Sequence, residues 1–366
     1  MKNLGISIYP EKSTDKELFN YIDIAKEIGF KRIFSCLLSA QGSKKEIVDR
    51  FSNIASYANE RGFEMIVDVN PSILKKLKVN GENLSFFKDI KVSGFRLDNG
   101  YSGYEEAMMT YNDYNLKIEI NMSNDTRYID TIMDYMPNKY NLVGCHNFYP
   151  HKHTGLPLDH FEKCTQNFKK YGLNTAAFIT SQNSTAFGPW PIGNQMPTLE
   201  MHRYMPIQVQ LKHMIALNNI DDIIISNCFA TKEEFSKIKN MRLDMVSFEI
   251  ALEKDITEVE KSILLDEIHF RRGDISDTII RSTKNSRDKY KNRSFVLHNA
   301  PRNIKRGDIL IESDEYGNYK GELEIALKDF INSGKSNVVA RIKEEEIFIL
   351  DFIKPNQKFN FIINDN

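Results

Sequence analysis

The sequence predicts an α/β protein, a TIM-type (β/α)8 barrel followed by a small, mostly-β domain. Three observations carry that expectation. Short β-rich apolar runs recur through the first two-thirds of the 366-residue chain, each followed by an amphipathic helical stretch. Eight such units in about 240 residues match the length of a closed parallel barrel. Past residue 242 the alternation stops, and short strand-like runs follow one another with turn residues between them.

In chain order the runs are LGISIYP (4–10), KRIFSCLL (31–38), EMIVDVN (64–70), GFRLDN (94–99), KIEINMS (117–123), LVGCHNFYP (142–150), NTAAFITS (174–181) and DDIIISN (221–227). Between them lie the helical patterns DKELFNYIDIAKEIGF, EIVDRFSNIASYANERGF, SILKKLK, YEEAMMTYN, TRYIDTIMDYM, LDHFEKCTQNFKKYG and PIQVQLKHMIALNN. IGFKRI, RGFEMI and YGLNTA share one grammar, with a glycine that ends a helix just before the next strand. A doubly wound open sheet is the rival arrangement. It is disfavoured because no Gly-rich dinucleotide fingerprint follows any strand, and the first turn reads YPEKST. The expected domains are 1–242 and 243–366. The tail offers the strand-like runs MVSFEIAL, EIHFRRG, DTIIRS, SFVLHN, DILIES, GELEIAL, NVVARI and IFILDFI, with one short helix over ITEVEKSILL.

Composition narrows the function. Hydrophobic residues make up 41% and charged residues 27%, as in ordinary globular proteins, and the formal net charge is -1. That charge provides no field for nucleic acid or an anionic membrane, so any anion site must be local. MKNLGISIYP lacks the apolar run of a signal peptide or membrane span. Cys36, Cys145, Cys164 and Cys228 stand far apart with no CxxC, so reduced thiols and a cytoplasmic location are expected.

In such a barrel the active site lies at the carboxyl ends of the strands. Those ends are polar here: Asp68, Arg96, Asp98, Glu119, Asn121, His146, Asn147 and Tyr149 stand among them. Strand alternation turns Phe95, Leu97, Ile118 and Ile120 toward the helices, and Arg96, Asp98, Glu119 and Asn121 into the barrel. Asp98 and Glu119 then sit on adjacent strands. A carboxylate pair of this kind can split its pKa values, as two-carboxylate glycoside hydrolysis requires, with Arg96 holding one member ionised. The long loop 181–206 follows strand seven and carries Trp190, Glu200, His202 and Arg203. A lid carboxylate at Glu200, desolvated above Trp190, would have a raised pKa and competes for the acid role. Arg203 with His202 is a candidate phosphate clamp, and PTLEMHR is equally a helix start with Thr198 as cap. HxH spacing alone makes a weak zinc signal. The different class of enzyme to set against this is a metal-dependent isomerase or hydrolase acting on another phosphosugar, built on Asp68, Asp98, Glu119 and His146.

With FRLDNG, IEINMS, HNFYPHKHTGL and PTLEMHR in one chain, the sequence resembles the bacterial 6-phospho-N-acetylmuramidases of cell-wall recycling. The tail segment RGDILIESDEYGNYKGELEI resembles that family's C-terminal cyclophilin-like domain. The resemblance implies cleavage of the β-1,4 bond of N-acetylmuramic acid 6-phosphate–N-acetylglucosamine, and no metal or cofactor is expected. It also implies a cytoplasmic enzyme, whose disaccharide arrives through a sugar phosphotransferase system. Neither nucleic acid nor membrane is an expected partner, and the tail either completes the cleft or brings two chains together as a homodimer. Arg96, Asp98, Glu119, Asn121, His146, Asn147, Tyr149, Glu200, His202 and Arg203 are the implied site residues. Asp98, Glu119 and Glu200 are the catalytic candidates, and Asp68 and Trp190 join the substrate-binding set.

Overall fold

The structure, a computed structural model, describes residues 2–38, 42–79 and 83–363. Eight parallel strands close into a barrel in sequence order: β1 (Asn3–Ile8), β2 (Arg32–Cys36), β3 (Glu64–Val69), β4 (Gly94–Leu97), β5 (Lys117–Asn121), β6 (Leu142–Cys145), β7 (Asn174–Ile179) and β8 (Asp222–Ile225). All eight expected strands are present, and β8 pairs with β1 to remove the sheet edge. The helices between them are capped as their sequences dictate. Thr14, Ser43 and Thr231 each accept a bond from the backbone three residues on, while Glu17, Glu46 and Glu234 reach back. Gly29 ends the first long helix at φ 95°, a left-handed conformation that favours glycine.

Alternation sorts the barrel. Ile6, Ile33, Val67, Phe95, Ile118 and Ile120 are buried between strands and helices. Parallel register carries the inward face around the ring, from Ser7–Phe34 and Cys36–Asp68 to Asp68–Arg96 and Arg96–Glu119. Inside the barrel Phe34, Cys145, Ala176, Phe178 and Ile224 pack together, with Phe148 against them.

The chain divides into two compact units, Met1–Met214 with Asn218–Met241, and Ile215–Leu217 with Arg242–Asn366. The second unit is built on a seven-stranded mixed sheet in the order β10-β17-β9-β16-β13-β14-β11, with β12 and β15 paired separately. Its strands are β9 (Val246–Leu252), β10 (His269–Phe270), β11 (Ile279–Ser282), β12 (Asn303–Ile304), β13 (Asp308–Glu312), β14 (Leu323–Ala326), β15 (Phe330–Ile331), β16 (Ser336–Ile342) and β17 (Lys358–Ile362). The expected helix is found at Glu258–Asp266. Two expected strands are not. IFILDFI lies in 3-10 helix Glu344–Phe352, since a short apolar run fits a buried helical turn as well as a strand. SFVLHN joins no ladder, because the Asn337 side chain takes the backbone N–H groups of His298 and Asn299. No helix among the described residues is long and apolar enough to cross a membrane.

Candidate active site

Asp68 on β3 and Arg96 on β4 lie opposite each other in register. Arg96 Nη1 donates to Asp68 Oδ1 at 2.8 Å and to Asp98 Oδ1 at 3.3 Å. The two carboxylate oxygens therefore stand no farther apart than those bonds laid end to end. Arg96 Nη2 donates to Asn147 Oδ1, which follows β6. These four side chains line a cavity at the carboxyl end of the barrel, with Trp190, Phe148 and Phe178 as its apolar wall. Its volume is about 110 Å³, against the ~300–1,000 Å³ of pockets that enclose a whole ligand. It has room for the reacting centre of a substrate rather than for a disaccharide.

The two acids differ in surroundings. Asp68 is 6% exposed, while the side chain of Asp98 is 34% exposed. Burial pushes the Asp68 carboxyl up to about 6, with the Asp98 charge adding to the rise and Arg96 opposing it. Asp98 is fixed through its backbone, where its N–H donates to Val69 O at 2.9 Å and its carbonyl accepts from Asn121 Nδ2 at 3.1 Å.

Glu119 is not the rim neighbour of Asp98. Register pairs it with Arg96, one step deeper, and it is fully buried. There it is ion-paired with Arg32 of β2, which also binds Asp222 of β8, making an ionic layer beneath the cavity. Arg32 is a residue that sequence reasoning missed. Its signal was its spacing from Phe34 and Cys36 on the same face of its strand.

The other expected site residues divide by what they touch. His146 faces the helices: its Nε2 is 2.9 Å from Thr165 Oγ1, its ring stacks on Phe161, and burial lowers its pKa to about 3. Tyr149 is half-buried beside the cavity and gives its carbonyl to Arg203 Nη1 at 2.9 Å.

The expected phosphate clamp is corrected. Arg203 is 1% exposed, and its guanidinium bonds Glu200 twice and the carbonyls of Tyr149, His151 and Gln195. Five N–H groups are thereby used in five bonds, leaving none for an anion. His202 is buried with Nε2 2.7 Å from His213 Nδ1. Glu200 also departs from expectation. The Arg203 bond comes first, and with the backbone N–H groups of Gly155 and His153 it lowers the Glu200 pKa to about 2 despite partial burial. The TGL and PTLEMHR segments are thus two halves of one internal clamp. Gly155 is required there, since a Cβ would come within 2.6 Å of Glu200 Oε2 and 2.8 Å of its backbone. No three Asp, Glu, His or Cys side chains among the described residues are arranged to hold a metal ion.

A closed barrel with two acids and an arginine gathered at the ends of β3 and β4 has the form of a TIM-barrel enzyme. The chain belongs to the 6-phospho-N-acetylmuramidase family and is a glycosidase: the family's N-terminal part matches residues 4–240 and its C-terminal part residues 246–362. The crystal structure of an uncharacterized B. cereus protein is similar at 43% identity and a TM-score of 0.90, with 99% of both chains covered. A conserved protein from Enterococcus faecalis shares the fold at 22% identity and a TM-score of 0.70, over 99% of this chain and 97% of the other. A comparison with curated proteins finds no match.

Proposed function

We propose that the protein hydrolyses the β-1,4 bond of N-acetylmuramic acid 6-phosphate–N-acetylglucosamine in the cytoplasm, with Asp68 and Asp98 as the working carboxylates. The observation that supports this pair is the single Arg96 nitrogen bonded to both acids inside one cavity. Burial keeps the proton on Asp68 at higher pH than an ordinary aspartate, which suits a general acid. Asp98, more exposed, is the nucleophile.

Asp68 gives its proton to the glycosidic oxygen as the Asp98 oxygen bonds to the anomeric carbon and the aglycone departs. Asp68, now ionised, then takes a proton from water, which displaces Asp98 and regenerates both groups. The short spacing fits the ~5–5.5 Å of retaining pairs better than the ~6.5–9.5 Å of inverting ones. Trp190 offers a face for the sugar ring. The 6-phosphate lies outside this cavity, because the one cation lining it among the described residues is already bonded to two carboxylates and an amide. The four cysteines are buried and none is joined in a disulfide, which fits a reducing compartment.

Hydrolysis of the phosphorylated and unphosphorylated disaccharides, followed by product analysis, tests the substrate. Preference of at least roughly 100-fold in kcat/KM for the phosphorylated form supports the reading, and equal rates refute it.

A further inference from the structure

The second unit holds a cavity of about 550 Å³ that the proposed hydrolysis does not use. Its wall is one face of the sheet where β11, β14 and β13 run side by side. Along β14 and the residue before it, Leu323 and Ile325 are in the core, while Glu322 and Glu324 line the cavity. Glu312 of β13 lines it too, and its N–H bonds the Glu322 carbonyl at 3.1 Å. Tyr316, Tyr319 and Phe330 supply aromatic surface.

The three acids are not equally served. Glu322 accepts from Thr283 and from Arg287 Nη1 at 3.3 Å, with Arg272 Nη1 at 3.6 Å. Glu312, only 4% exposed, receives the Ser336 hydroxyl at 2.9 Å, and its other close neighbour is the Glu324 carboxylate. Arg281, which lines the cavity too, faces Glu324 across the strands and opposes the rise of its pKa, but its hydrogen bonds go to Asp274, to the carbonyl and Oδ2, each at 3.0 Å. Among the described residues no lysine or arginine forms an ion pair with Glu312 or Glu324. Burial first pushes both carboxyls up and the Glu322 charge adds to the rise at each, while the contact between the two acids raises Glu324 and lowers Glu312.

An acid pair with no ion-pair partner among the described residues, in a lining of three acids to one arginine and beside aromatic faces, is complementary to a positive ligand. The cavity is far larger than an ion, and no three acidic, histidine or cysteine side chains among the described residues are arranged as metal ligands. We propose that this cavity binds a small organic cation, an ammonium group on an apolar body. Glu312 and Glu324 supply the countercharge, and Tyr316, Tyr319 and Phe330 the surface for the body.

Titration calorimetry of the full chain with benzylammonium, and with benzyl alcohol as its neutral counterpart, tests this. Saturable binding of the cation is expected, with benzyl alcohol at least roughly tenfold weaker. Glu312→Gln and Glu324→Gln each weaken the cation by a similar factor, and both stay folded because the amide keeps the shape and removes a buried charge. Binding tightens as pH rises through neutrality, since the cation needs the ionised pair. The other charged groups around the pair, Glu322 with Arg272 and Arg287, and Arg281 with Asp274, are already matched. Asp98→Asn, in the barrel, leaves the affinity unchanged. The proposal is overturned by no saturable binding of benzylammonium at millimolar concentration, by equal binding of benzyl alcohol, by both glutamine variants retaining full affinity, or by loss of binding in Asp98→Asn.

Discussion

Arg96 Nη1 is bonded to Asp68 Oδ1 at 2.8 Å while the two residues face each other in register across β3 and β4. The bond opposes the effect of burial on Asp68 without cancelling it. A general acid at Asp68 works in its protonated form, so activity declines as pH rises through about 6. Replacing Arg96 with Met removes the charge that opposes the rise. The high-pH limb of kcat/KM then moves upward by roughly one unit, whatever the loss in height, as a pH-rate profile would record.

Glu119→Gln separates structure from catalysis. The change leaves Arg32 buried with Asp222 alone, and breaking a buried pair in this way costs about 3–5 kcal/mol. Denaturant unfolding should show that loss. The kcat of the folded fraction stays within roughly threefold of wild type, because Glu119 does not line the cavity and its Oε1 stands 3.9 Å from Arg96 Nε, beyond the hydrogen bonds that fix Arg96 to Asp68 and Asp98.

The Glu200–Arg203 clamp predicts a different pattern. Arg203→Ala lowers kcat/KM for phosphorylated and unphosphorylated disaccharides by the same factor, since the guanidinium holds three backbone carbonyls rather than a phosphate. Unequal losses would return Arg203 to the phosphate.

Glu200 also carries a pH signature. Its pKa is depressed from 4.5 to about 2, so its contribution to stability is complete above pH 4.5 and is lost as pH falls through 2. The stability gap between wild type and Glu200→Gln should therefore be widest near neutrality and shrink in acid, measured by unfolding at a series of pH values.

Trp190 lines the cavity as a half-buried apolar wall. Trp190→Ala should raise KM by roughly tenfold with a smaller change in kcat, the mark of lost substrate stacking rather than lost chemistry.

The barrel was legible because each strand is short, β-rich and followed by a helix with its own cap and stop. The heights of side chains inside it were not. Alternation correctly turned Asp98 and Glu119 inward, but parity says nothing of stagger, and register places Glu119 beside Arg96 instead. Arg32 hid next to Lys31 at the start of its strand, where a basic pair reads as solvent-facing. His146 and Asn147 are adjacent in sequence and point to opposite sides, so one strand end supplied both a packing residue and a cavity residue. The donors of Arg203 are taken by backbone carbonyls from two loops, and no side-chain pattern announces bonds of that kind. In the second unit KFNFI alternates as a strand should and forms β17, while the more apolar IFILDFI is helical.

The most direct measurement is kcat/KM of Asp68→Asn and Asp98→Asn on the phosphorylated disaccharide, with circular dichroism to confirm the fold. Losses of roughly 10³-fold or more in both are expected for an acid and a nucleophile that act together. Retention of activity within tenfold by either variant, or an equal loss in a properly folded Glu119→Gln, would contradict the assignment.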